Sequence, residues 1–166
     1  MIKKIVYCAQ FHDFSGYGIA ARRYLKAVDL YLKNNNTDID FKIYSVVAAP
    51  DIHLSGQEKE IIDKYLFKNQ SELDEFVSDC NHTCIWHMPT PMSLASDRKF
   101  ETTKNLKKSL SKILQTSKQN HHLVVWETSD ISLEWKETLD YIQPDAIITA
   151  CEFNKDLFLK YCKNVE

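Results

Sequence analysis

Short apolar runs alternate with amphipathic segments along this chain, and the alternation predicts five strands separated by helices. The first run, residues 4–9, is nearly continuous, which is typical of a strand buried on both faces. The second run, residues 40–47, alternates more, so we expect it nearer an edge of the sheet. The three further strands are predicted at residues 83–86, 123–126 and 146–149.

Helical periodicity marks the segments between these runs. In the helix predicted at residues 19–33, one apolar face opposes a polar face, and we expect the apolar face to lie against the core. The apolar face comprises Ala20, Tyr24, Ala27, Val28 and Tyr31, and the polar face comprises Arg22, Lys26, Asp29 and Lys33. The other predicted helices cover residues 56–67, 71–79, 100–117, 132–141 and 154–162.

This order predicts an α/β fold: a Rossmann-like parallel sheet of about five or more strands with helices on both faces. The 166 residues contain no internal linker, so we expect residues 1–166 to form a single domain. A net charge of −2 argues against a nucleic-acid partner. The sequence has no apolar run of membrane-spanning length and no secretory signal, so the expected location is cytoplasmic.

Candidate chemistry is expected where the strands end, because ligands of open parallel sheets bind outside the carboxyl ends of the strands. After the first strand, Ser15, Gly16, Tyr17 and Gly18 lead into a helix. Two of the three glycines in the chain lie here. They would allow a phosphate to approach the backbone at the helix start. The alternative is a turn that requires positive φ.

The same residues spell Gly16-x-Gly18-x-x-Ala21, which has the spacing of a dinucleotide-binding fingerprint. That fingerprint starts directly after its strand, whereas several polar and aromatic residues intervene here. It also needs an acidic residue at the end of the second strand, and Asp51 comes late. The match is therefore a weak indication of NAD binding.

Histidines and cysteines offer further candidates. His87 ends the third strand, where it could hydrogen-bond a sugar hydroxyl, act as a base, or simply cap a loop. The spacing Cys80-x-His82-x-Cys84 lacks the paired ligands and longer loop of a zinc module, so Cys84 is expected in the core and no metal site is predicted. The adjacent histidines before the fourth strand, 121 and 122, are expected at an exposed strand entry.

A basic stretch begins at Arg98 and ends at Lys118. Its lysines largely avoid the apolar stripe of the predicted helix, which is typical of a solvated face. A weak contact with anionic lipid headgroups is the alternative, and it would place the protein peripherally at the inner membrane face.

Three stretches resemble the N-terminal domain of GT-B fold glycosyltransferases, of the retaining, nucleotide-sugar-dependent type grouped with glycogen and lipopolysaccharide glycosyltransferases. Residues 13–22 (DFSGYGIAAR) resemble the first loop and helix of that family. Residues 125–135 (VWETSDISLEW) resemble its "WET…lPxxW" segment, and residues 145–154 (DAIITACEFN) its "D.iivpSeF" segment. Ser132 and Cys151 replace the usual proline and serine.

The resemblance implies a role for each strand-end group. Ser15 to Gly18 would face the interdomain cleft near the donor diphosphate, and His87 would lie beside the transferred sugar. Glu127 is a second catalytic candidate. The acceptor-side candidates are Thr128, Asp130 and Glu152. The implied co-substrate is a nucleotide-sugar, with no tightly bound cofactor, and the implied acceptor is a glycan, a lipid or another molecule.

In this family, a second Rossmann-like domain binds most of the nucleotide-sugar, and this sequence lacks it. We therefore expect the acceptor-side half of a glycosyltransferase that is inactive alone and needs a C-terminal donor-binding domain, on the same or a separate chain. The alternatives are a non-catalytic binding or interaction module and a small NAD-type oxidoreductase.

Overall fold

A computed structural model describes residues 3–46, 54–87, 101–124, 130–161 and 165 of the chain. Within these ranges, five strands form one parallel sheet and six helices pack around it. The strands are β1 (Lys3–Ala9), β2 (Ile39–Ser45), β3 (His82–His87), β4 (Gln119–Val124) and β5 (Ala146–Thr149). The helices are α1 (Gly16–Asn34), α2 (Gly56–Tyr65), α3 (Gln70–Phe76), α4 (Glu101–Thr116), α5 (Leu133–Ile142) and α6 (Glu152–Phe158).

The strand order β2-β1-β3-β4-β5 confirms the predicted α/β fold with a parallel sheet, and β2 lies at its edge as expected. A single parallel bridge from Leu66 to Ile43 extends that edge, and a second bridge joins Val165 to Ile147 beside β5. If Leu66 is counted as a strand, the spatial order becomes 3-2-1-4-5-6, the order of a doubly wound Rossmann-like sheet. The direction of winding then reverses between β1 and β3.

The sheet register brings three strand ends level at this reversal. Ala9, the last residue of β1, is paired with Ser45 of β2 on one side and with His87 of β3 on the other. We call this edge, between the carboxyl ends of β1 and β3, the switch point. In doubly wound sheets it is the place where a crevice forms and ligands bind.

Two apolar layers sandwich the sheet. Helices α1 and α2 cover what we call the front face, packing on Tyr7, Ala9 and Ile43. Helices α3 and α4 cover the back face over β1 and β3, packing on Val6, Cys8, Cys84 and Trp86. The burial of Cys84 in this layer confirms that it is a core residue.

The front face is less covered over β4 and β5 than over β1 and β2. His122, Val124 and Ile147 point to the back face and are buried. Leu123 and Ile148 alternate with them, point to the front face, and are only half-buried. In the described part of the chain, helix coverage of the front face therefore thins out beyond α1.

The face that α1 buries differs from the prediction. Gly18, Ala21, Leu25 and Asp29 are buried, whereas Tyr24 and Tyr31 are about half exposed. The prediction was wrong because it placed the large tyrosines inward and Asp29 outward. The carboxylate of Asp29 is buried because side chains of α2 provide its partners.

Two local predictions were also wrong. Strand β4 begins at Gln119, so His121 and His122 lie inside it, and His122 is fully buried rather than exposed at a strand entry. Helix α3 begins at Gln70, one residue before the predicted start, because Asn69 caps it: the Oδ1 of Asn69 accepts a hydrogen bond from the N–H of Glu72. Asn69 supplies its oxygen at 2.9 Å, the distance that a cap requires.

Candidate functional site

The loop between β1 and α1 is held by a side-chain cap. Ser15 is the N-cap of α1, and its Oγ accepts a hydrogen bond from the N–H of Gly18 at 3.3 Å. The same hydroxyl donates to the carboxylate of Asp13 at 2.5 Å. Because Ser15 caps the helix, α1 begins at Gly16, three residues before the predicted start, and its first amides point toward the switch point side of the sheet.

Arg22 fixes the shape of this loop from the next turns of α1. Its Nη1 donates to the carbonyl oxygens of Phe11 and Asp13, at 3.0 and 2.8 Å. Its Nε donates to Glu58 of α2 at 3.1 Å. One guanidinium therefore ties the loop, α1 and α2 together, so the strand-end residues sit on a fixed backbone.

The two glycines of the loop have different reasons to be there. Neither has a positive φ, so the alternative of a turn that requires it is wrong. A Cβ on Gly18 would lie 2.2 Å from the carbonyl oxygen of Asp13, so this glycine allows the helix to approach the loop. A Cβ on Gly16 would meet nothing within 4 Å. Internal packing thus explains Gly18 and leaves the space beside Gly16 open.

His87 lies under α1 at the centre of three tyrosines. Its Nδ1 is 2.5 Å from the hydroxyl oxygen of Tyr7, and the two rings are nearly parallel, 11° apart. Tyr17 and Tyr24 of α1 pack on the imidazole, with ring centroids 5.6 and 5.5 Å away. Only 3% of His87 is exposed.

Burial determines the charge of this cluster. It lowers the pKa of His87 to about 4, so the imidazole is neutral at pH 7. Burial, followed by the neighbouring Tyr24, raises the pKa of the Tyr7 phenol well above its usual range, so Tyr7 keeps its proton. The switch point therefore presents a neutral histidine–tyrosine pair beside a helix N-terminus.

The structure brings some of the predicted site residues together and separates others. Tyr17 lies in the loop segment and touches His87, so the glycine loop and the strand-end histidine form one cluster. Asp130 precedes α5 and Glu152 opens α6, beyond β4 and β5. With neighbouring strands about 4.8 Å apart, β5 lies roughly 10 Å along the sheet from β3. Glu127 and Thr128 lie outside the described residues.

The two distant candidates differ in their surroundings. Asp130 accepts a hydrogen bond from the hydroxyl of Tyr161 at 2.6 Å, which joins the start of α5 to the end of α6. Glu152 is exposed in the first turn of α6. Cys151, the N-cap of that helix, makes no side-chain capping bond.

The basic stretch is partly neutralised within the fold. Lys112 of α4 forms an ion pair with Asp74 of α3 at 2.6 Å, whereas Lys108 and Lys118 are exposed. Arg98 lies outside the described residues. None of the helices in the described part of the chain is long and apolar enough to cross a membrane.

Outside the switch point, the described surface has a cavity but no cluster of metal ligands. In the ranges that the structure covers, no three histidine, cysteine, aspartate or glutamate side chains converge as metal ligands would. A cavity of about 340 Å³ lies between α1 and α2, and Arg23, Lys26 and Gln57 contribute to its lining. Lys26 donates to Gln57 across it at 3.2 Å.

Sequence reasoning missed two members of the cluster, Tyr7 and Tyr24. Tyr7 shares a strand face with Ala9, which period-2 alternation already indicates. Its partnership with His87 depends on β1 pairing with β3 across 80 residues, and a single sequence does not reveal that register.

The interpretation of this site rests on the residues described above, because in comparison with known proteins the chain matches no protein-family model, no curated protein and no solved structure.

Proposed function

We propose that this chain is the acceptor-side domain of a glycosyltransferase, which moves a sugar from a nucleotide-sugar to a glycan, lipid-linked or other acceptor. The observation that supports this proposal best is the meeting of the glycine loop and His87 at the switch point. A doubly wound sheet binds its ligands at this place. The loop belongs to residues 13–22, which resemble the glycosyltransferase N-terminal domain, and the same resemblance implies that His87 lies beside the transferred sugar.

The chemistry of the cluster suits a sugar or a sugar phosphate. The N-terminus of α1 carries a partial positive charge, which favours an anionic group, and Gly16 leaves room for its close approach. A neutral imidazole can form hydrogen bonds with hydroxyl groups without placing a charge beside the glycosidic carbon. Exposed tyrosine faces nearby provide apolar surface for a sugar ring.

In this proposal the chain supplies only half of the cleft. The partner is a C-terminal Rossmann-like domain that binds the nucleotide, and no tightly held cofactor is needed. The site works at the cytoplasmic side of the cell, and lipid-linked acceptors would bring Lys108 and Lys118 to an anionic membrane surface.

Calorimetric titration of the chain with UDP-glucose and GDP-mannose tests this proposal. We expect millimolar binding, equivalent to about −4 kcal/mol, because in this proposal the main nucleotide site is on a second, C-terminal domain. Gly16→Val should remove the binding. Gly56→Val is the matched control, since Gly56 also opens a helix and its Cβ would also meet open space.

Two results would contradict the proposal. Micromolar binding of a nucleotide-sugar by this chain alone would show a complete donor site. Binding of NAD in preference to both sugar nucleotides would favour an oxidoreductase. The described end of β2 gives that alternative no support, because Ser45 lies there, hydrogen-bonded to His12 at 2.8 Å, instead of a ribose-binding carboxylate.

An interaction module is a second candidate, favoured by one observation. Tyr24 and Tyr31 on α1 are 51% and 54% exposed, and Tyr24 packs on His87 of β3, the strand next to the thinly covered β4. Exposed aromatic side chains next to half-buried sheet positions are typical of a surface that another polypeptide covers. Loss of sugar-nucleotide binding together with self-association in analytical ultracentrifugation would support this function over the first.

A further inference from the structure

The hydrogen bond between Tyr7 and His87 can have its hydrogen on either partner. The two arrangements place the imidazole proton on different ring nitrogens, so they decide whether the outer nitrogen of His87 is a donor or an acceptor. In one, the Tyr7 hydroxyl donates to Nδ1, and the imidazole carries its own proton on Nε2. In the other, Nδ1–H donates to the phenol oxygen, and Nε2 is a bare acceptor that could serve as a base. The 2.5 Å distance between the hydroxyl oxygen and Nδ1 fits either arrangement.

The burial of both side chains favours one of the two hydrogen arrangements. Tyr7 is 4% exposed and His87 is 3% exposed, so neither group can turn to bulk water. In the second arrangement the phenol hydrogen would need another acceptor, and His87 is the hydrogen-bond partner that the described residues offer to the Tyr7 hydroxyl. A buried hydroxyl hydrogen without an acceptor costs about 1–3 kcal/mol. Among the described residues, the first arrangement leaves one group without a partner, Nε2–H, whereas the second leaves two, the phenol hydrogen and the Nε2 lone pair.

The groups around the pair reinforce this result. Tyr17 and Tyr24 pack on the imidazole from α1, and Phe11 packs edge-on against Tyr7 at 5.3 Å. These neighbours are neutral side chains, so they supply no charge that would hold His87 as an imidazolium. Burial therefore leaves the imidazole neutral.

We propose that Tyr7 is a positioning residue that fixes His87 as the Nε2–H tautomer, so that the switch point offers a hydrogen-bond donor and not a base. The group that His87 contacts in a ligand is then an acceptor oxygen, such as that of a sugar hydroxyl. This last step rests on the proposed function, whereas the position of the proton does not.

NMR of protein labelled with ¹⁵N in its histidine side chains tests the proton position directly. In two-bond ¹H–¹⁵N correlation spectra at pH 7, we expect the His87 signals of an imidazole protonated on Nε2 and unprotonated on Nδ1. His87→Gln assigns the signals by their disappearance. A wild-type spectrum with the proton on Nδ1 would overturn the proposal without any need for a Tyr7 variant.

Tyr7→Phe measures the role of the hydroxyl. Loss of the donor should shift the Nδ1 signal of His87 toward the value of a nitrogen without a hydrogen bond. Tyr24→Phe is the matched control, because it removes a hydroxyl from a ring that also touches His87 and should leave Nδ1 unshifted. An Nδ1 signal that Tyr7→Phe does not move would also overturn the proposal.

A binding experiment separates this proposal from the proposed function. UDP-glucose should bind His87→Gln within about threefold of wild type, because the glutamine amide still donates, and His87→Leu about tenfold more weakly. Equal affinity of the Leu and Gln variants would contradict a donor role. If the Nε2–H tautomer is observed, Tyr7→Phe shifts Nδ1, and UDP-glucose does not bind at all, the proposed function fails and the positioning by Tyr7 is confirmed.

Discussion

The two flanks of α1 contrast in a way that its amphipathic pattern does not indicate. The flank toward α2 carries charged side chains and is tightly engaged: Arg22 bonds Glu58, and Asp29 bonds Lys64. The opposite flank carries Tyr24 and Tyr31, which are about half exposed. On these two flanks, the charged residues Arg22 and Asp29 are therefore the packed ones, and Tyr24 and Tyr31 are the open ones.

This difference shows that the engaged flank serves stability and that the open flank adjoins the candidate site. Partners on α2 satisfy each buried charge, which is the condition under which charges can be buried. The tyrosine flank instead lies over His87, where Tyr24 packs on the imidazole. Substitutions on the two flanks should accordingly have different effects.

The largest effect is expected at Gly18, which anchors α1 and thereby both flanks. In Gly18→Val, the added Cβ would lie 2.2 Å from the carbonyl oxygen of Asp13, so backbone must move. We expect a loss of more than about 3 kcal/mol in the free energy of unfolding, measured by urea denaturation. Gly16→Val should cost less than about 1 kcal/mol, since its Cβ meets open space. Equal losses would contradict the different roles of the two glycines.

The next largest expected effect is a pH dependence of the stability, which comes from His87 beneath the tyrosine flank. Burial lowers the pKa of His87 from 6.5 to about 4, so between these values the unfolded chain binds a proton that the folded one does not. Stability should therefore fall as the pH drops from about 6.5 to about 4, by about 3 kcal/mol.

The pKa values of His12 and His82 are also lowered by burial, so the informative quantity is the difference between wild type and His87→Gln. That difference should change with pH across this window, as measured by thermal unfolding. A constant difference would mean that His87 titrates alike in the folded and unfolded states.

On the engaged flank, substitution of Asp29 should lower the free energy of unfolding more than substitution of any exposed lysine beside it. Burial raises the pKa of Asp29, but hydrogen bonds from Lys33, Lys64 and Tyr65 outweigh it and lower the value to about 2. The pairing should contribute about 2 kcal/mol above pH 4, lost as the pH falls from about 4 to about 2.

Asp29→Ala should remove that contribution at pH 7, as measured by urea denaturation, because the bonds of Lys64 and Tyr65 are lost together. The control is Lys26→Ala, an exposed residue of the same flank, which should cost less than about 0.5 kcal/mol. Equal effects of the two variants would show that the buried charge is not what joins α1 to α2.

The smallest stability effect is expected on the open flank. Tyr31→Ser removes a ring that is 54% exposed and should change the free energy of unfolding by less than about 0.5 kcal/mol. A loss of more than about 2 kcal/mol would mean that this flank is packed in solution, for example against a second copy. Sedimentation velocity at two concentrations distinguishes that case.

Elements governed by local rules could be predicted from the sequence. Apolar runs and turn residues locate β1 and β5 closely, and Ser132 caps α5 where the resemblance places a proline. The buried face of α1 could not be predicted. Its determinants are a glycine that packs on the carbonyl of Asp13 in the preceding loop and a carboxylate with two partners that lie 35 and 36 residues away in the chain.

The candidate site likewise has features that could be predicted from the sequence and features that could not. Ser15, Gly16 and His87 could be selected because they follow strands, and that rule needs only the strand positions. The neutral state of His87 and its link to Tyr7 could not, because both depend on the β1–β3 register and on burial beneath α1. Long-range pairing is the information that the pattern of a single sequence lacks.

Amide mapping by NMR tests the central claim most directly. Titration of ¹⁵N-labelled protein with UDP-glucose should shift the amides of Gly16, Tyr17 and His87, around the switch point, and leave those of Gln57 and Ile61 beside the α1–α2 cavity unchanged. Shifts confined to the α1–α2 cavity, or no shift at any described residue, would contradict the claim that the switch point is the binding site.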